Sequence, residues 1–359
     1  MSILIFLLIL SLLVLVHEFG HFIAAKKNGV LVEEFGIGFP PRLFGIKIKE
    51  TVYSLNLIPL GGFVKLYGEE YDKIYQKSKI KNQKLKNKAF INKNPWQRIM
   101  IIIAGVIGNF LLGWFLIAYL FTQGVPVPLN KVLIEKVEKN TPAYFAGLKK
   151  GDFIYALEFN QKKFPINSAS DLITLTKKYA GKKLTLFVER KAKKITINII
   201  PRKNPPKNQG PLGVIITSYE IKKYSFYQAP YFGLIHSLTI TKKIISELVK
   251  TLIQLITFKK PDVSVAGPIG IAYFTQEALK FGKNAVLELM ALLSLNLAIV
   301  NLLPFPALDG GRLFFVFYEL ITKKPFNKKL EKYLNLFGFI FLITLAILVS
   351  INDIIKIYR

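Results

Sequence analysis

Three ionisable side chains interrupt an apolar stretch near the N-terminus, and their spacing is that of a metal-binding helix. The stretch runs from Ser2 to Ala25, and the interruption reads His17-Glu18-Phe19-Gly20-His21. On a helix, positions i and i+4 share a face, so the two imidazoles can hold one cation between them. Glu18 projects to the side, where it can act as general base on a water molecule at the metal. The pattern is the H-E-x-x-H zinc motif.

The helix that must position this motif is long enough to cross a membrane. As one α-helix, the stretch from Ser2 to Ala25 measures about 34 Å, against about 30 Å for a hydrocarbon core. Charged groups at such depth cost roughly 2.5–3.5 kcal/mol each, so an ionisable trio there indicates a functional site. The alternative is a chance match with two buried, satisfied histidines. The segment lacks a basic n-region and an Ala-x-Ala site, so we expect it to be retained rather than cleaved as a signal peptide.

The composition is that of a membrane protein with several spans. Hydrophobic residues make up 52% of the 359 residues, which excludes an ordinary soluble protein. The net charge of +28 is spread over flanks and loops without a nucleic-acid motif, so we expect anionic lipid, not nucleic acid, as its partner. The chain has no cysteine, which excludes disulfides and thiolate ligands. Any zinc must therefore be held by histidine and carboxylate.

Three further apolar segments predict three more membrane spans. They cover residues 99–121, roughly 285–308, and about 334–351. The third must break near Pro304 and Pro306, because each proline removes a backbone donor. We therefore expect a polytopic α-helical membrane protein with about four transmembrane helices.

A segment between the first two spans favours β structure. From Tyr53 to Glu69, short apolar runs are broken at Pro59 and at Gly61-Gly62. Such backbone near a membrane is tolerated only where it is buried in protein or lines a water-filled cavity. A hairpin beside the metal can offer a free edge to an extended peptide; the alternative is a cytosolic surface hairpin. The lysine-rich residues 72–93 that follow are interpreted as a solvated tether.

Hydropathy falls after the second span, and a folded domain outside the membrane is predicted there. Residues 132–138, 183–191 and 195–200 alternate as half-buried strands do, and residues 170–180 favour a helix. The signature T-P-A-x-x-A-G-L-x-x-G-D-x-I from Thr141 to Ile154 resembles a bacterial, circularly permuted PDZ domain. PDZ domains bind peptide ends or extended segments by strand addition. The alternative is a PDZ-shaped spacer that binds nothing.

The region between this domain and the third span is predicted to lie on the membrane surface. Residues 224–258 favour an amphipathic helix without an uncharged run of about 18 residues, so a surface position is expected rather than a span. His236 is better explained there as an interfacial or packing histidine than as a third metal ligand. Residues 265–274 are interpreted as a turn marked by glycine and proline.

Two histidines leave a zinc ion short of one ligand. Catalytic zinc usually takes three protein ligands and keeps the fourth position for water. Asp309 directly follows the predicted helix break, and an aspartate inside a transmembrane bundle is costly unless paired. We therefore predict Asp309 as the third ligand. Glu33, Glu34 and Glu50 are rival carboxylates, as in a membrane-anchored zincin that acts on soluble peptides, although a solvated charge accounts for each of them.

In their order, these motifs make the chain resemble the site-2 protease family of intramembrane zinc metalloproteases. The resemblance is to the bacterial regulator-of-sigma-E protease branch, here with a single PDZ domain, and it covers nearly the whole chain. The motifs are H-E-F-G-H at 17–21, P-L-G-G-F-V-K at 59–65, A-G-x-x-x-N ending at Asn109, the PDZ signature, G-P-I-G at 267–270, and N-L-L-P-F-P-x-L-D-G-G at 301–311.

The resemblance implies a role for each part of the site. It implies a zinc ion ligated by His17, His21 and Asp309, with Glu18 as the catalytic base. It implies that a membrane-associated β region aligns the substrate as an added strand, with substrate-binding residues Asn301, Asn109, Gly61 and Gly62. For Asn109 the alternative is a buried hydrogen-bonding residue that serves helix packing. The implied substrates are single-pass membrane proteins already trimmed by an earlier cut, such as anti-sigma factors or signal-peptide remnants. The implied process is regulated intramembrane proteolysis.

The motifs divide the chain into four expected parts. They are an N-terminal membrane part with the H-E-x-x-H motif and β region (1–123), a PDZ-like domain (124–203), a linker with surface helices (204–284) and a C-terminal membrane part with the L-D-G motif (285–359). Basic flanks at 26–27, 72–98 and 323–332 predict the cytoplasmic side of a bacterial inner membrane. The PDZ-like domain and both termini would then be periplasmic, with the active site towards the cytoplasm.

A function of a different class is compatible with the same domains. The chain could be a non-proteolytic membrane adaptor whose PDZ-like domain recruits a partner and whose metal is structural. The glutamate of the H-E-x-x-H motif argues against an adaptor, because a structural metal site has no need of a general base.

Overall fold

A computed structural model describes residues 2–69, 83–207, 209–257, 259 and 266–357 of the chain. The helices are α1 Ser2–Lys27, α2 Gln83–Asn87, α3 Pro95–Gln123, α4 Pro142–Phe145, α5 Ala169–Lys178, α6 Ala229–Ile256, α7 Pro268–Phe281, α8 Lys283–Leu302, α9 Asp309–Thr322 and α10 Lys328–Ile357. The strands are β1 Val32–Ile48, β2 Thr51–Leu66, β3 Val125–Val137, β4 Phe153–Phe159, β5 Lys162–Pro165, β6 Leu184–Arg190, β7 Lys193–Ile199 and β8 Val214–Lys222.

These elements form two compact units. One unit comprises Met1–Leu120 and Phe226–Arg359, and the other comprises Phe121–Ser225. The first unit contains the helices that carry the H-E-x-x-H and L-D-G motifs, so it holds every residue of the predicted site.

Within the described residues, four helices are long and apolar enough to cross a membrane. They are Ile3–Lys27 in α1, Pro95–Gln123 in α3, Lys283–Leu302 in α8 and Lys328–Lys356 in α10. The number of candidate spans agrees with the predicted number of about four. Helices α1, α3 and α10 extend beyond the predicted apolar segments, since hydropathy marks only the part that hydrocarbon can cover, whereas lysine continues a helix readily. Helix α6 is not among the four, and its place on the membrane surface stays a prediction.

Small residues let α1 and α3 approach closely. A Cβ on Gly20 would overlap the backbone carbonyl of Ala104, and one on Gly108 would lie 2.9 Å from the carbonyl oxygen of Val16. Helices in a membrane gain their association from such close backbone contact, because lipid tails give no hydrophobic driving force between them. The H-E-x-x-H helix is therefore held directly against α3.

The β region is a bent hairpin, β1 paired with β2, that contacts α1. Its register is irregular, because residues 34–37 of β1 each pair with both 52–55 and 62–65 of β2. Its turn lies between Ile48 and Thr51. The end near the turn carries large apolar side chains that remain exposed: Phe39, Leu43, Phe44, Ile46, Ile48, Leu55 and Leu57. Contiguous exposed apolar surface of this kind marks contact with a membrane or another protein.

Two helices of the first unit differ from the sequence-based interpretation. The predicted turn at 265–274 is instead the start of α7, at Pro268; residue 265 lies outside the described part. Proline is favoured at the first helical position, where its missing N–H needs no partner. Helix α9 was not predicted, because its start at Asp309 is followed by Gly310 and Gly311, which are poor helix formers. The predicted tether at 72–93 falls partly on residues outside the description, and its last part forms α2 and a short 3₁₀ turn.

The second unit is built on an antiparallel sheet with the strand order β7-β6-β4-β3-β8, with β5 paired to β4. Its core consists of fully buried aliphatic side chains, among them Val132, Ile134, Ile154, Leu157, Leu172, Leu184, Leu186 and Val188. Strand β8 pairs with β3, from the pair Val137 and Val214 at one end to the pair Val125 and Lys222 at the other. The sheet therefore includes residues beyond 203, the predicted end of the PDZ-like domain. The reason is non-local pairing, which an alternating pattern in one stretch does not reveal.

Local capping explains two turns of this unit. Ser168 and Asp171 form a reciprocal capping box at the start of α5. Asp152, the aspartate of the G-D signature, is fully buried and accepts hydrogen bonds of 2.7 Å from Nε and Nη2 of Arg190. That carboxylate raises the pKa of the Arg190 guanidinium. The turn before β4 is thereby fixed to β6.

A carboxylate on the last membrane helix caps the first turn of α7. The N–H groups of Gly267 and Gly270 both donate to Oδ2 of Asp353 at 2.8 Å, and Asp353 is only 5% exposed. A Cβ on either glycine would lie 2.9 Å from that oxygen, so the G-P-I-G motif makes room for the carboxylate. Because α7 contacts α1, this bond connects the C-terminal helix to a neighbour of the H-E-x-x-H helix.

Replacing Asp353 with leucine should destabilise the first unit. Two buried N–H groups at a helix N-terminus would lose their acceptor, at a cost of about 1–3 kcal/mol. We expect a lower thermal unfolding midpoint in detergent micelles for Asp353→Leu and a smaller decrease for Asp353→Asn, which keeps an acceptor oxygen. Asn352→Leu, at the exposed neighbouring position, is the control. An Asp353→Leu midpoint equal to that of wild type would contradict the capping role.

Candidate metal centre

Three donor atoms from distant parts of the chain meet between α1 and α9. Nε2 of His17 lies 2.8 Å from Oδ2 of Asp309, Nε2 of His21 lies 3.1 Å from the same oxygen, and the two Nε2 atoms are 3.1 Å apart. Both histidines are buried, at 6% and 7% exposure. Among the described residues, these three form the one group of histidine and acidic side chains that could hold a metal ion.

A tight turn brings Asp309 to this place. Helix α8 ends at Leu302, because Pro304 and Pro306 cannot supply the next helical N–H groups. A Cβ on Gly310 would overlap the carbonyl of Leu303. Only glycine permits this approach, so α9 can begin immediately with Asp309 in its first turn.

Both imidazoles present Nε2 to the site. The Nδ1–H group of His21 donates to the backbone carbonyl of Ile101 at 2.8 Å, which leaves the lone pair of Nε2 free. Nδ1 of His17 faces the side-chain amide of Asn109 at 3.4 Å. The rings stand nearly perpendicular, at 87°, with their centroids 4.7 Å apart. Hydrogen bonds to the outer ring nitrogens orient metal-binding histidines in this way.

Gly105 on α3 forms one wall of the site, a role that the sequence did not reveal. A Cβ at this position would lie 2.5 Å from Nε2 of His21 and 2.8 Å from Cε1 of His17. In the sequence, Gly105 stands out only as the glycine of the A-G-x-x-x-N motif. The A-G-x-x-x-N motif contains the signal, but the neighbour that requires the glycine becomes known only in the folded chain.

Glu18 lies beside the three donor atoms and is tied to the hairpin. Its Oε2 accepts a hydrogen bond of 3.0 Å from the backbone N–H of Val64 in β2. It does not belong to the potential ligand group. A carboxylate held next to a metal site without ligating it has the arrangement that a general base requires.

The rival carboxylates lie outside the group and pair with basic side chains. Glu33 pairs with Lys65 at 3.0 Å, Glu34 with Arg42 at 2.6 Å and Glu50 with Lys88 at 2.6 Å. The hydrogen bond from Lys88 lowers the pKa of Glu50. His236, on α6, is likewise not part of the ligand group.

The predicted substrate-binding residues have different surroundings. Nδ2 of Asn301 lies 3.4 Å from Nε2 of His17, at the edge of the site. Gly61 has a positive φ of 91° and donates its N–H to Oγ of Ser11 at 3.1 Å. A Cβ on Gly62 would lie 2.6 Å from the carbonyl oxygen of Gly36. Both glycines serve close packing of the hairpin, and their part in binding a peptide stays a prediction.

The donor set fits zinc. Two imidazole nitrogens and one carboxylate oxygen are typical of hydrolytic zinc sites, which use bonds of about 2.0–2.2 Å. Atoms separated by 2.8–3.1 Å can all contact one such ion. The second hydrogen bond of each histidine supplies the support that zinc ligands usually have.

Comparison with known proteins points to a family of zinc metalloproteases. The profile of peptidase family M50 matches residues 5–345. The chain is 31% identical to the regulator of sigma-W protease RasP of Bacillus subtilis, over 98% of each chain. It is 31% identical to the zinc metalloprotease RasP of Bacillus licheniformis over 98% of each chain, and 35% identical to a putative zinc metalloprotease of Clostridium perfringens over 97% of each.

Gly105→Ala should weaken metal binding, because its Cβ would displace both imidazoles. We expect at least about a tenfold loss of zinc affinity, since ligand positions tolerate errors of only about 0.2 Å. Chelator competition on the purified chain measures this affinity. Gly113→Ala is the matched control on α3, because its Cβ would crowd Leu295 and neither imidazole. Wild-type affinity in Gly105→Ala would show that the wall tolerates a methyl group.

Proposed function

We propose, on the premise that this chain belongs to peptidase family M50 and is a zinc metalloprotease, that it cleaves transmembrane segments of single-pass membrane proteins. The observation that carries the proposal is the convergence of His17, His21 and Asp309 beside helices apolar enough to span a membrane. In this proposal the three residues ligate the zinc ion, and Glu18 is the general base.

The chemistry is hydrolysis of a peptide bond. When bound, zinc supplies a Lewis acid that activates water and polarises the scissile carbonyl. Glu18 accepts a proton from the attacking water and delivers it to the leaving amine nitrogen as the C–N bond breaks. The N–H of Val64 holds one oxygen of Glu18 and so keeps the carboxylate in reach of the water. The donor Nδ2 of Asn301 at the edge of the site suits a substrate backbone carbonyl.

The hairpin β1–β2 is proposed to lie in or on the membrane and to align the substrate. Its exposed apolar side chains, such as Leu43 and Phe44, support contact with lipid or with an apolar substrate. A transmembrane substrate must unwind locally, because peptide groups within a helix are already hydrogen-bonded. Pairing the unwound segment with a strand edge offsets part of that cost. Close packing of Gly61 and Gly62 keeps the hairpin beside the catalytic helix.

The unit Phe121–Ser225 is proposed to be the PDZ-like domain. Its antiparallel sheet, its helix α5 and the Thr141 cap of α4 support this assignment. A folded domain that is built on its own core can bind a peptide end or obstruct large substrates. We propose that it acts as a size filter, so that cleavage follows an earlier cut of the substrate's outer domain.

The substrate class is proposed from the relatives. The Bacillus subtilis relative is named a regulator of sigma-W protease, a name that points to anti-sigma factors, and remnants of signal peptides have the same single-pass character. The bilayer itself is the second partner. The proposed location is the bacterial inner membrane, with the active site towards the cytoplasm.

Two substitutions separate metal binding from proton transfer. Glu18→Gln should keep its zinc and lose cleavage of a reconstituted single-pass substrate by at least about 10²-fold, the scale of general-base catalysis. Asp309→Ala should lose both zinc and cleavage, and chelation of the wild type should reproduce that loss. The measurements are metal content and product formation on a gel.

The controls also discriminate the alternative functions. Glu50→Gln removes a rival carboxylate and should leave zinc and cleavage unchanged. Persistent cleavage in Glu18→Gln would refute the assigned base, and a zinc-replete Asp309→Ala would refute the ligand set. If the wild type cuts no substrate but Glu18→Gln keeps the cellular function, the adaptor is the better account.

The absence of cysteine from the chain permits a direct test of orientation. Single variants Lys150→Cys, in the second unit, and Lys324→Cys, after α9, lie at exposed positions. In intact bacterial cells, a membrane-impermeant maleimide should label Lys150→Cys, whereas Lys324→Cys should require lysis, because basic flanks stay in the cytoplasm. The reversed labelling pattern would invert the proposed topology.

A further inference from the structure

We propose that Asn109 is a positioning residue of the metal centre, whose side-chain oxygen accepts the hydrogen of His17 Nδ1 and so directs Nε2 of His17 to the zinc ion. The inference rests on the proposed zinc ligation by His17, His21 and Asp309. It replaces the sequence-based prediction that Asn109 binds substrate.

The first observation is the burial of Asn109. Its exposure is 0%, and its backbone carbonyl accepts a hydrogen bond of 2.8 Å from Oγ of Ser294 on α8. The backbone of Asn109, on α3, is therefore fixed to α8, and its side chain faces His17 on α1. A side chain with no exposed surface is badly placed to contact a peptide, whereas Asn301 reaches the edge of the site from another helix.

The second observation is an unpaired atom. The side-chain Nδ2 of Asn109 lies 3.4 Å from Nδ1 of His17, and Oδ1 of Asn109 has no hydrogen-bond partner among the described residues. Buried polar atoms without partners are rare and costly. The two ends of an amide have nearly the same shape, so a half-turn about the last side-chain bond exchanges them. Oδ1 then faces Nδ1 of His17.

Metal ligation selects the exchanged arrangement. A neutral imidazole carries one hydrogen, and the other nitrogen supplies a lone pair. If Nδ2 of Asn109 donated to Nδ1 of His17, the hydrogen of the ring would have to be on Nε2, which could then not ligate the ion. With Oδ1 as acceptor, Nδ1 carries the hydrogen, Nε2 is free, and Oδ1 gains a partner, while Nδ2 takes the position that Oδ1 leaves.

His21 already shows the same arrangement. Its Nδ1–H donates to the carbonyl oxygen of Ile101, which lies on the same helix as Asn109. Ile101, Gly105 and Asn109 follow one another at intervals of four residues, so they share one face of α3. That face supplies one hydrogen-bond acceptor for each histidine, and Gly105, between the two acceptors, leaves space for both rings.

The test compares two changes at Asn109 in the full-length chain. Asn109→Leu has a similar volume and no acceptor, while Asn109→Asp keeps an oxygen at the same place. Asn296→Leu, on α8, is the matched control for removing an amide from a membrane helix. Zinc affinity is measured by chelator competition, and the visible spectrum of the Co²⁺-loaded protein reports the ligand geometry independently of activity.

We expect Asn109→Leu to lose about 10–100-fold in zinc affinity, the scale for partners of metal-bound histidines. Asn109→Asp should stay within about threefold of wild type and Asn296→Leu should match it. The Co²⁺ spectrum should change in Asn109→Leu alone. If Asn109→Leu binds zinc as wild type does and only its KM rises, Asn109 contacts substrate and the inference is overturned. Equal losses in Asn109→Leu and Asn109→Asp would overturn it as well.

A further variant separates this inference from the proposed function. If His17→Ala keeps full zinc affinity, the proposed ligand set is wrong. If His17→Ala loses zinc while Asn109→Leu does not, only the role of Asn109 fails. Should Asn109→Leu not fold, Asn109→Ser, which keeps an oxygen in a smaller side chain, must retain more zinc affinity than Asn109→Ala.

Discussion

The contact of the Asp309 carboxylate with the imidazoles of His17 and His21 is the interaction around which the first unit is organised. A carboxylate and two histidines beside membrane-spanning helices are costly unless they pair with each other or with an ion. Their donor atoms lie 2.8–3.1 Å apart, close enough for one zinc ion to compensate all three. The helix break at Pro304 and Pro306 makes this contact possible, because a continuous α8 would not bring the carboxylate of Asp309 to the two imidazoles.

Close helix packing serves the same contact. Gly20 and Gly108 remove the side chains that would separate α1 from α3, and Gly105 removes the one that would fill the space of the imidazoles. In lipid, where apolar side chains gain little from association, these backbone contacts also hold the helices together. One set of small residues therefore stabilises the bundle and opens the metal site.

Two further parts of the first unit, the hairpin and helix α7, contact α1. The hairpin contacts α1 and holds Glu18 through Val64, so a peptide that pairs with the hairpin would lie next to the base. The carboxylate of Asp353 fastens α10 to the start of α7, which also contacts α1. The unit Phe121–Ser225 has a core of its own.

The amino-acid sequence alone predicts the family, four apolar spans and the grouping of His17 and His21, because motifs, helix periodicity and hydropathy are local properties of the chain. It also favours Asp309 as the third ligand over three rival carboxylates, each of which the fold pairs with a lysine or arginine side chain. Three features are visible only in the folded chain: Gly105 borders the imidazoles, Asn109 faces Nδ1 of His17, and β8 pairs with β3 in the sheet of the second unit. Each of these depends on neighbours distant in sequence, whose approach is a property of packing and not of any single stretch.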